Sequence, residues 1–358
     1  MKNFVAFFIF LVFSGLTISQ NDTVLKYQID ELYKIIKDYE HRFDILEKMI
    51  DDQLFYSRLG DLAFVDKVFI YGDPPAKSKN PEKLGAFNPV KFWSYVFIPK
   101  NINLNKKYPL IVFPHGGVHA NFSTYYVHIL KELLVQGYIV VAPEYRGSTG
   151  YGKDFYEKID YGGREIGDAE ASRKYMVDNY PFVDAERVGI FGWSHGGLIA
   201  LMCLFEYPEN FKVGFAGVPV SDLIKRIEIH GKDYEKYFSA EYHIGQTVEE
   251  NPEEYKKRSP AYNAHKLKTP LIIHTNTNDD DVYAEEVMSL IESLKRENKE
   301  FQYEIYQDLP GGHSFDRMDV KFSREIRFKT YKFMEKYLNP PVKFKSPKDL
   351  EKKVYYDF

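Results

Sequence analysis

Residues 187–201 read RVGIFGWSHGGLIAL. An apolar stretch leads into Gly192-Trp193-Ser194-His195-Gly196, and a second apolar stretch leaves it. The flanks read as a buried strand and a buried helix, because short continuous apolar runs suit elements covered on both sides. The middle fits the pattern G-x-S-x-G. At a sharp strand-to-helix turn the serine takes a strained backbone conformation, and side chains two residues to either side would strike neighbouring backbone. Glycines at 192 and 196 avoid that collision. The Ser194 hydroxyl is then held at the carboxyl edge of a sheet, where the next helix directs N–H groups and its positive dipole end.

The same rhythm continues on both sides. YPLIVFPHGG, YIVVAPEYRG, RVGIFGWS, KVGFAGVPV, TPLIIHTNTND and FQYEIYQDLPGGH read as strands. TYYVHILKELLVQG, DAEASRKYMVDNY, HGGLIALMCLFEY, AEEVMSLIESLKREN and SREIRFKTYKFMEKYL read as helices between or after them. Such alternation predicts an α/β domain: a mostly parallel central sheet with helices on both faces. KVFIY and VKFWSYVFIP add two strands ahead of it. Between about 222 and 266 the rhythm breaks into a Tyr-rich, irregular insertion, which either borders a pocket or is a surface excursion.

The 358 residues suffice for one large domain with a small appendage. Hydrophobic residues make up 44% and charged residues 28%, which suits a globule. A formal net charge of −4 and the lack of a basic stripe exclude a nucleic-acid binder. The single cysteine, Cys203, lies on an apolar run and is read as a small core residue, and no Cys pairs suggest zinc. MKNFVAFFIFLVFSGLTIS, residues 1–19, has the form of a cleaved secretory leader; its apolar core is shorter than the ~20 residues of a spanning helix. The expected site of action is secreted or periplasmic, with no stable membrane span after cleavage. Residues 20–60 form an N-terminal helical segment, in which Leu25, Ile29, Leu32, Ile36, Tyr39, Phe43, Leu46 and Ile50 recur at helical spacing. That stripe either packs on the main domain or forms a lid. The α/β domain is expected over 61–345, and 346–358 as a C-terminal tail.

A serine hydroxyl needs a base, and the base needs an orienting carboxylate. In this architecture they follow in the order Ser, acid, His, each after a later strand. Of the ten histidines, only His313 lies in a loop after the last strand. Gly311 and Gly312 let that loop turn back over the sheet edge. The acid belongs after TPLIIHTNT, where Asp279, Asp280 and Asp281 stand together, and position does not separate the three. An oxyanion hole needs two donors: the His195 N–H, and one from the loop after LIVFPHGGVHA, for which Gly117 is the candidate. His115, read either as lining the site or as structural, and Trp193 are counted as pocket residues.

Together GWSHGG, HGGVHA, EYRGSTGYG, NDDDV and GGHSFD resemble the catalytic domain of the prolyl oligopeptidase family, and within it the acylaminoacyl-peptidase-like branch. The resemblance covers about residues 108–338 and implies the α/β-hydrolase fold. It implies that Ser194 is the nucleophile, His313 the base and Asp279, three residues before Val282, the acid. It also assigns Val282 to the pocket for the residue before the cut bond. Large members carry a β-propeller, for which a helical segment stands here. Leu223 and Ile224 occupy positions where proline-cleaving members tend to have an aromatic residue. His115 lies where some members place an oxyanion tyrosine, which points to backbone donors.

The expected function is a serine-type peptidase cleaving short peptides through an acyl-enzyme, with no metal or organic cofactor. A carboxylesterase on the same machinery and a catalytically silent binding protein are the alternatives, since the pocket and not the triad separates them. The expected partner is a peptide or ester substrate; the oligomeric state is open.

Overall fold

The computed structural model describes residues 22–78 and 80–356. The expected leader lies outside the described residues. Eight strands form one sheet: β1 (Ala63–Tyr71), β2 (Lys91–Pro99), β3 (Tyr108–Val112), β4 (Ile139–Pro143), β5 (Val183–Trp193), β6 (Val213–Gly217), β7 (Leu271–Asn276) and β8 (Gln302–Tyr306). Their spatial order is β1-β2-β4-β3-β5-β6-β7-β8. β1 and β2 pair antiparallel, β2 pairs antiparallel with β4, and every pairing from β4 to β8 is parallel. The principal helices are α1 (Asp22–Leu59), α2 (Val127–Gln136), α3 (Arg164–Asn179), α4 (His195–Glu206), α5 (Leu223–His230), α6 (Lys232–Ser239), α7 (Ala284–Arg296) and α8 (Lys321–Leu338).

β3, β4, β6 and β7 are wholly buried and β5 is buried from Val188 to Trp193, as continuous apolar strings in a parallel sheet should be. One face is covered by α3, α4 and α7, through residues such as Met176, Leu201 and Leu290. The other is covered by α2, α8 and the end of α1, through Leu130, Met334 and Phe55. Cys203 sits in the first of these cores, fully buried. Gly137 ends α2 in the left-handed conformation at φ 86°, as its place in the sequence predicts. Because the parallel strands run one way, the loops leaving β3, β5, β7 and β8 all emerge at the same edge.

The chain ends are anchored to the body. Within residues 346–356, Leu350 and Val354 are buried, and the Tyr355 hydroxyl donates to Glu132 at 2.7 Å. α1 is a single helix of 38 residues that does pack on the main domain, but by the opposite face. Its buried contacts are polar until the last turns. Lys48 pairs with Glu144 at 2.7 Å, Asp51 accepts from the Thr124 N–H at 3.0 Å, and Asp52 pairs with Lys67 at 2.6 Å. Phe55 then enters an aromatic cluster, 4.9 Å from the Tyr95 ring. The apolar stripe from Leu25 to Ile50 faces away from the body and is exposed.

The second core is tied by charge. Arg327 of α8 donates to both oxygens of Glu132 in α2, at 2.8 and 2.7 Å, and Tyr331 donates to the same carboxylate at 2.6 Å. Both ionic side chains are buried. Removing one partner strands the other charge in an apolar interior. Arg327→Leu is therefore expected to lower unfolding free energy by about 3–5 kcal/mol, read as a shift in the urea midpoint at unchanged slope.

Candidate active site

Ser194 stands between β5 and α4 at φ 57°, ψ −123°. A non-glycine residue held there costs of order 1–3 kcal/mol, so its surroundings must impose the conformation. Two clamps do so. The Ser194 N–H donates to the Gly217 carbonyl at 2.9 Å, and the Val220 N–H donates to the Ser194 carbonyl at 3.2 Å. The glycines act as the sequence predicts. A Cβ on Gly192 would lie 2.2 Å from the Gly196 carbonyl oxygen, and one on Gly196 would lie 2.4 Å from that of Pro114. Gly197 is equally constrained, its added Cβ falling 2.9 Å from Pro219.

The loop after β3 presses on this turn. A Cβ on Gly116 would lie 3.4 Å from Ser194 Cβ, and Gly117 takes φ 75° beside it. His195 opens α4, so its N–H has no acceptor within the helix. Gly117, Ser194 and His195 border one cavity of about 320 Å3.

After β7, Asp279 is buried. Its Oδ1 accepts from the N–H groups of Asp281 and Val282, each at 2.9 Å, and its Oδ2 meets His313 Nδ1 at 2.7 Å. The three aspartates are thereby separated: Asp279 orients the imidazole, while Asp280 and Asp281 are exposed. The other ring nitrogen, His313 Nε2, lies 3.8 Å from Asp281 Oδ2, and Asp281 lines the same cavity as Ser194. Two further links join the loop of His313 to the serine turn. Trp193 Nε1 donates to Asp316 at 2.8 Å. Arg317 donates to the His313 carbonyl and approaches Gly116, whose added Cβ would lie 3.6 Å from its Nη1.

The pocket residues need correction. His115, Trp193 and Val282 are buried at 0%, 1% and 0% exposure and do not line the cavity. His115 bonds Ser148 at 2.9 Å and stacks on Tyr145 at 4.1 Å between centroids. Trp193 fills the core between Phe113, Phe191 and Phe215. Val282 serves through its backbone. Each stands beside a site residue in sequence, but strand alternation and loop folding turn its side chain inward.

The insertion supplies much of the wall instead, through Arg226 of α5 and Asp233, Tyr234 and Tyr237 of α6, together with Tyr161 and Val220. Arg226 had no signal in the sequence beyond its place in that insertion. It donates to Asp281 at 2.6 Å, to Glu286 at 3.1 Å and to the Tyr234 hydroxyl at 2.9 Å. Burial opposes its charge, and Glu286 and Asp281 more than offset burial, so the guanidinium stays ionised. Burial likewise works against Asp281, yet His313 and Arg226 hold its carboxyl below the ordinary range. No residue of α1 lines this cavity. A larger cavity of about 390 Å3, among residues 75–86, 154–160 and 241–243, includes neither Ser194 nor His313.

Three neighbouring imidazoles are held neutral. Burial lowers His115 to about 3, His119 to about 4 and His243 to about 3. His119 and His243 face each other, Nε2 to Nε2, at 3.1 Å. The unfolded chain binds protons at these histidines near pH 6.5 and the folded chain only near 3 to 4. The stability contributed by these three histidines is therefore fully present above about pH 6.5 and is lost as pH drops toward the folded values, while Glu286, raised by burial to about 7, acts in the opposite sense. Each histidine is expected to cost about 2 kcal/mol between pH 7 and pH 5; urea midpoints of the wild type and of His243→Gln at the two pH values check this, and an equal pH dependence in both would contradict it.

The profile of the prolyl oligopeptidase family matches residues 124–341. The uncharacterized peptidase YuxL of Bacillus subtilis is 31% identical over 204 residues, which is 56% of this chain and 30% of YuxL. Human dipeptidyl peptidase 8 is 30% identical over 225 residues, 60% of this chain and 24% of the relative. The human acylamino-acid-releasing enzyme is 25% identical over 255 residues, 69% of this chain and 34% of the relative. This chain thus spans about a third or less of the length of these relatives. Among solved structures, the Pyrococcus horikoshii acylaminoacyl peptidase superposes with a TM-score of 0.63 at 23% identity, covering 84% of this chain and 46% of that one. That likeness shows the shared fold. With well over half of its residues matched by the family profile, this chain belongs to the prolyl oligopeptidase family.

Proposed function

We propose that the protein is a serine peptidase acting on short peptides outside the cytoplasm. The observation that carries this reading is the doubly anchored Asp279 bonded to His313, in a chain that also holds Ser194 in a strained turn at a helix N-terminus. In this reading Ser194 Oγ attacks the scissile carbonyl carbon while His313 Nε2 takes its proton. Asp279 keeps Nδ1 protonated and stabilises the imidazolium. The tetrahedral oxyanion forms between the His195 N–H and the loop N–H at Gly117. Collapse sends the His313 proton to the departing amine and leaves an acyl group on Ser194. Water, deprotonated by His313, then releases the acid and restores the serine.

Peptide over ester is favoured by the names of the relatives, a dipeptidyl peptidase and an acylamino-acid-releasing enzyme among them. The cavity wall of tyrosines and Val220 suits an apolar or aromatic group. The apolar leader supports secretion.

Ser194→Ala is expected to lower kcat by about 10^6-fold and Asp279→Asn by about 10^4-fold, with folding intact. A fluorophosphonate probe should label the wild type and not Ser194→Ala; an unlabelled wild type would favour the binding-protein alternative. Peptide nitroanilides and short-chain nitrophenyl esters should then be compared directly. Peptide kcat/KM negligible beside that for esters would replace the peptidase with a carboxylesterase.

A further inference from the structure

The outward face of α1 is more regular than an amphipathic stripe requires. Its apolar residues alternate at spacings of four and three, a repeat of seven from Leu25 to Ile50. Assigned to heptad positions, Ile29, Ile36 and Ile50 fall at a, and Leu25, Leu32 and Leu46 fall at d. Phe43 and Tyr39 complete the two series. All eight are between 37% and 63% exposed. A strict repeat of 3.5 residues is the signature of a left-handed coiled coil, not of a helix lying on a globular domain, whose period is 3.6. The body contacts confirm the separation of faces: His41, Lys48 and Phe55 occupy f, Asp44 and Asp51 occupy b, and Asp52 occupies c. The protein therefore holds α1 by its polar edge and presents the a/d seam to solvent.

We infer that the seam is covered by a second copy of this chain, as a parallel, in-register two-stranded coiled coil. The core composition selects that state, since β-branched residues at a with leucine at d favour parallel dimers. Charge agrees with it. In a parallel pair a g residue faces the e residue five positions on in the partner, which sets Arg42 against Glu47 of the other copy twice by symmetry. Both side chains are exposed. The area suffices. At roughly 75 Å2 of apolar surface per core side chain, the two helices bury about 1,200 Å2, the lower end for a stable interface. The two catalytic bodies sit on the outer faces of the pair, with no α1 residue at either cavity. The dimer thus places two sites on one stalk without closing them.

Sedimentation velocity of the purified protein at about 10 μM, where an interface of this size should hold, is expected to give twice the mass of one chain. Leu32→Asp combined with Ile36→Asp should give a single chain of unchanged near-UV circular dichroism and unchanged turnover per chain. Because Cys203 is buried, introduced thiols report cleanly. Leu32→Cys should oxidise to a covalent dimer, and Lys34→Cys, at the f position, should not. A monomer at that concentration, or a dimer that the paired aspartates leave intact, overturns the inference. So does a dimer in which Leu32→Cys fails to cross-link, which would make the pairing antiparallel or out of register. Binding of a monomer to phosphatidylcholine vesicles through the same stripe would assign the face to lipid instead and equally overturn it.

Discussion

The arrangement at the sheet edge depends on one steric constraint: backbone must pass against backbone at residues 192–197. The Gly196 α-carbon faces the carbonyls of Pro114 and His115, and Gly192 faces Gly196 itself, at distances no side chain allows. This contact brings the β3 loop against the β5 turn and leaves Ser194 no relaxed conformation. The strain is borne by neighbours that are themselves fixed. The turn after β6 accepts from the serine N–H and donates to its carbonyl, and Val218 in that turn also takes a positive φ, at 38°. A β-branched residue rarely does so, and its N–H bond to the His274 carbonyl at 2.7 Å holds it there.

Around this turn the interior carries several buried ion pairs, placed to hold loops. Arg146, from EYRGSTGYG, makes a bidentate pair with Asp168 at 2.8 and 2.7 Å and reaches the Asp73 carbonyl at 2.9 Å. Arg258 binds Asp160 at 2.7 Å and fixes the end of the insertion to the loop before α3. Arg226 links that insertion to Asp281, two residues after the Asp279 that bonds His313. Buried pairs of this kind add little net stability over apolar packing, but they permit few alternative geometries. That suits a rim assembled from loops widely separated in sequence.

Much of this was legible beforehand. Strands buried on both faces announce themselves by unbroken apolar runs, and the boxed serine announces its turn by the glycines that sterics demand. The meeting of His313 with one of the aspartates could be anticipated because chain order brings the loops after β7 and β8 to the same edge. The pocket wall was not legible. Trp193 flanks Ser194, yet its side chain points to the opposite face and bonds Asp316, tying down the loop of His313. Arg226 carries no local pattern, and only the fold of the insertion brings it to the cavity.

By itself, then, the sequence determined the sheet, its covering helices, the elbow and the chain order of Ser194, Asp279 and His313. These follow from periodicity, chain order and the space a Cβ occupies, all of which are local. Tertiary structure decided which of three adjacent aspartates meets the imidazole, which residues line the cavity beside Ser194, and which side of α1 meets the body. Those choices turn on the directions of side chains from distant segments. For α1 the outcome ran against the hydrophobic pattern because buried ionic and hydrogen-bonded partners at Lys48, Asp51 and Asp52 hold its polar edge inward.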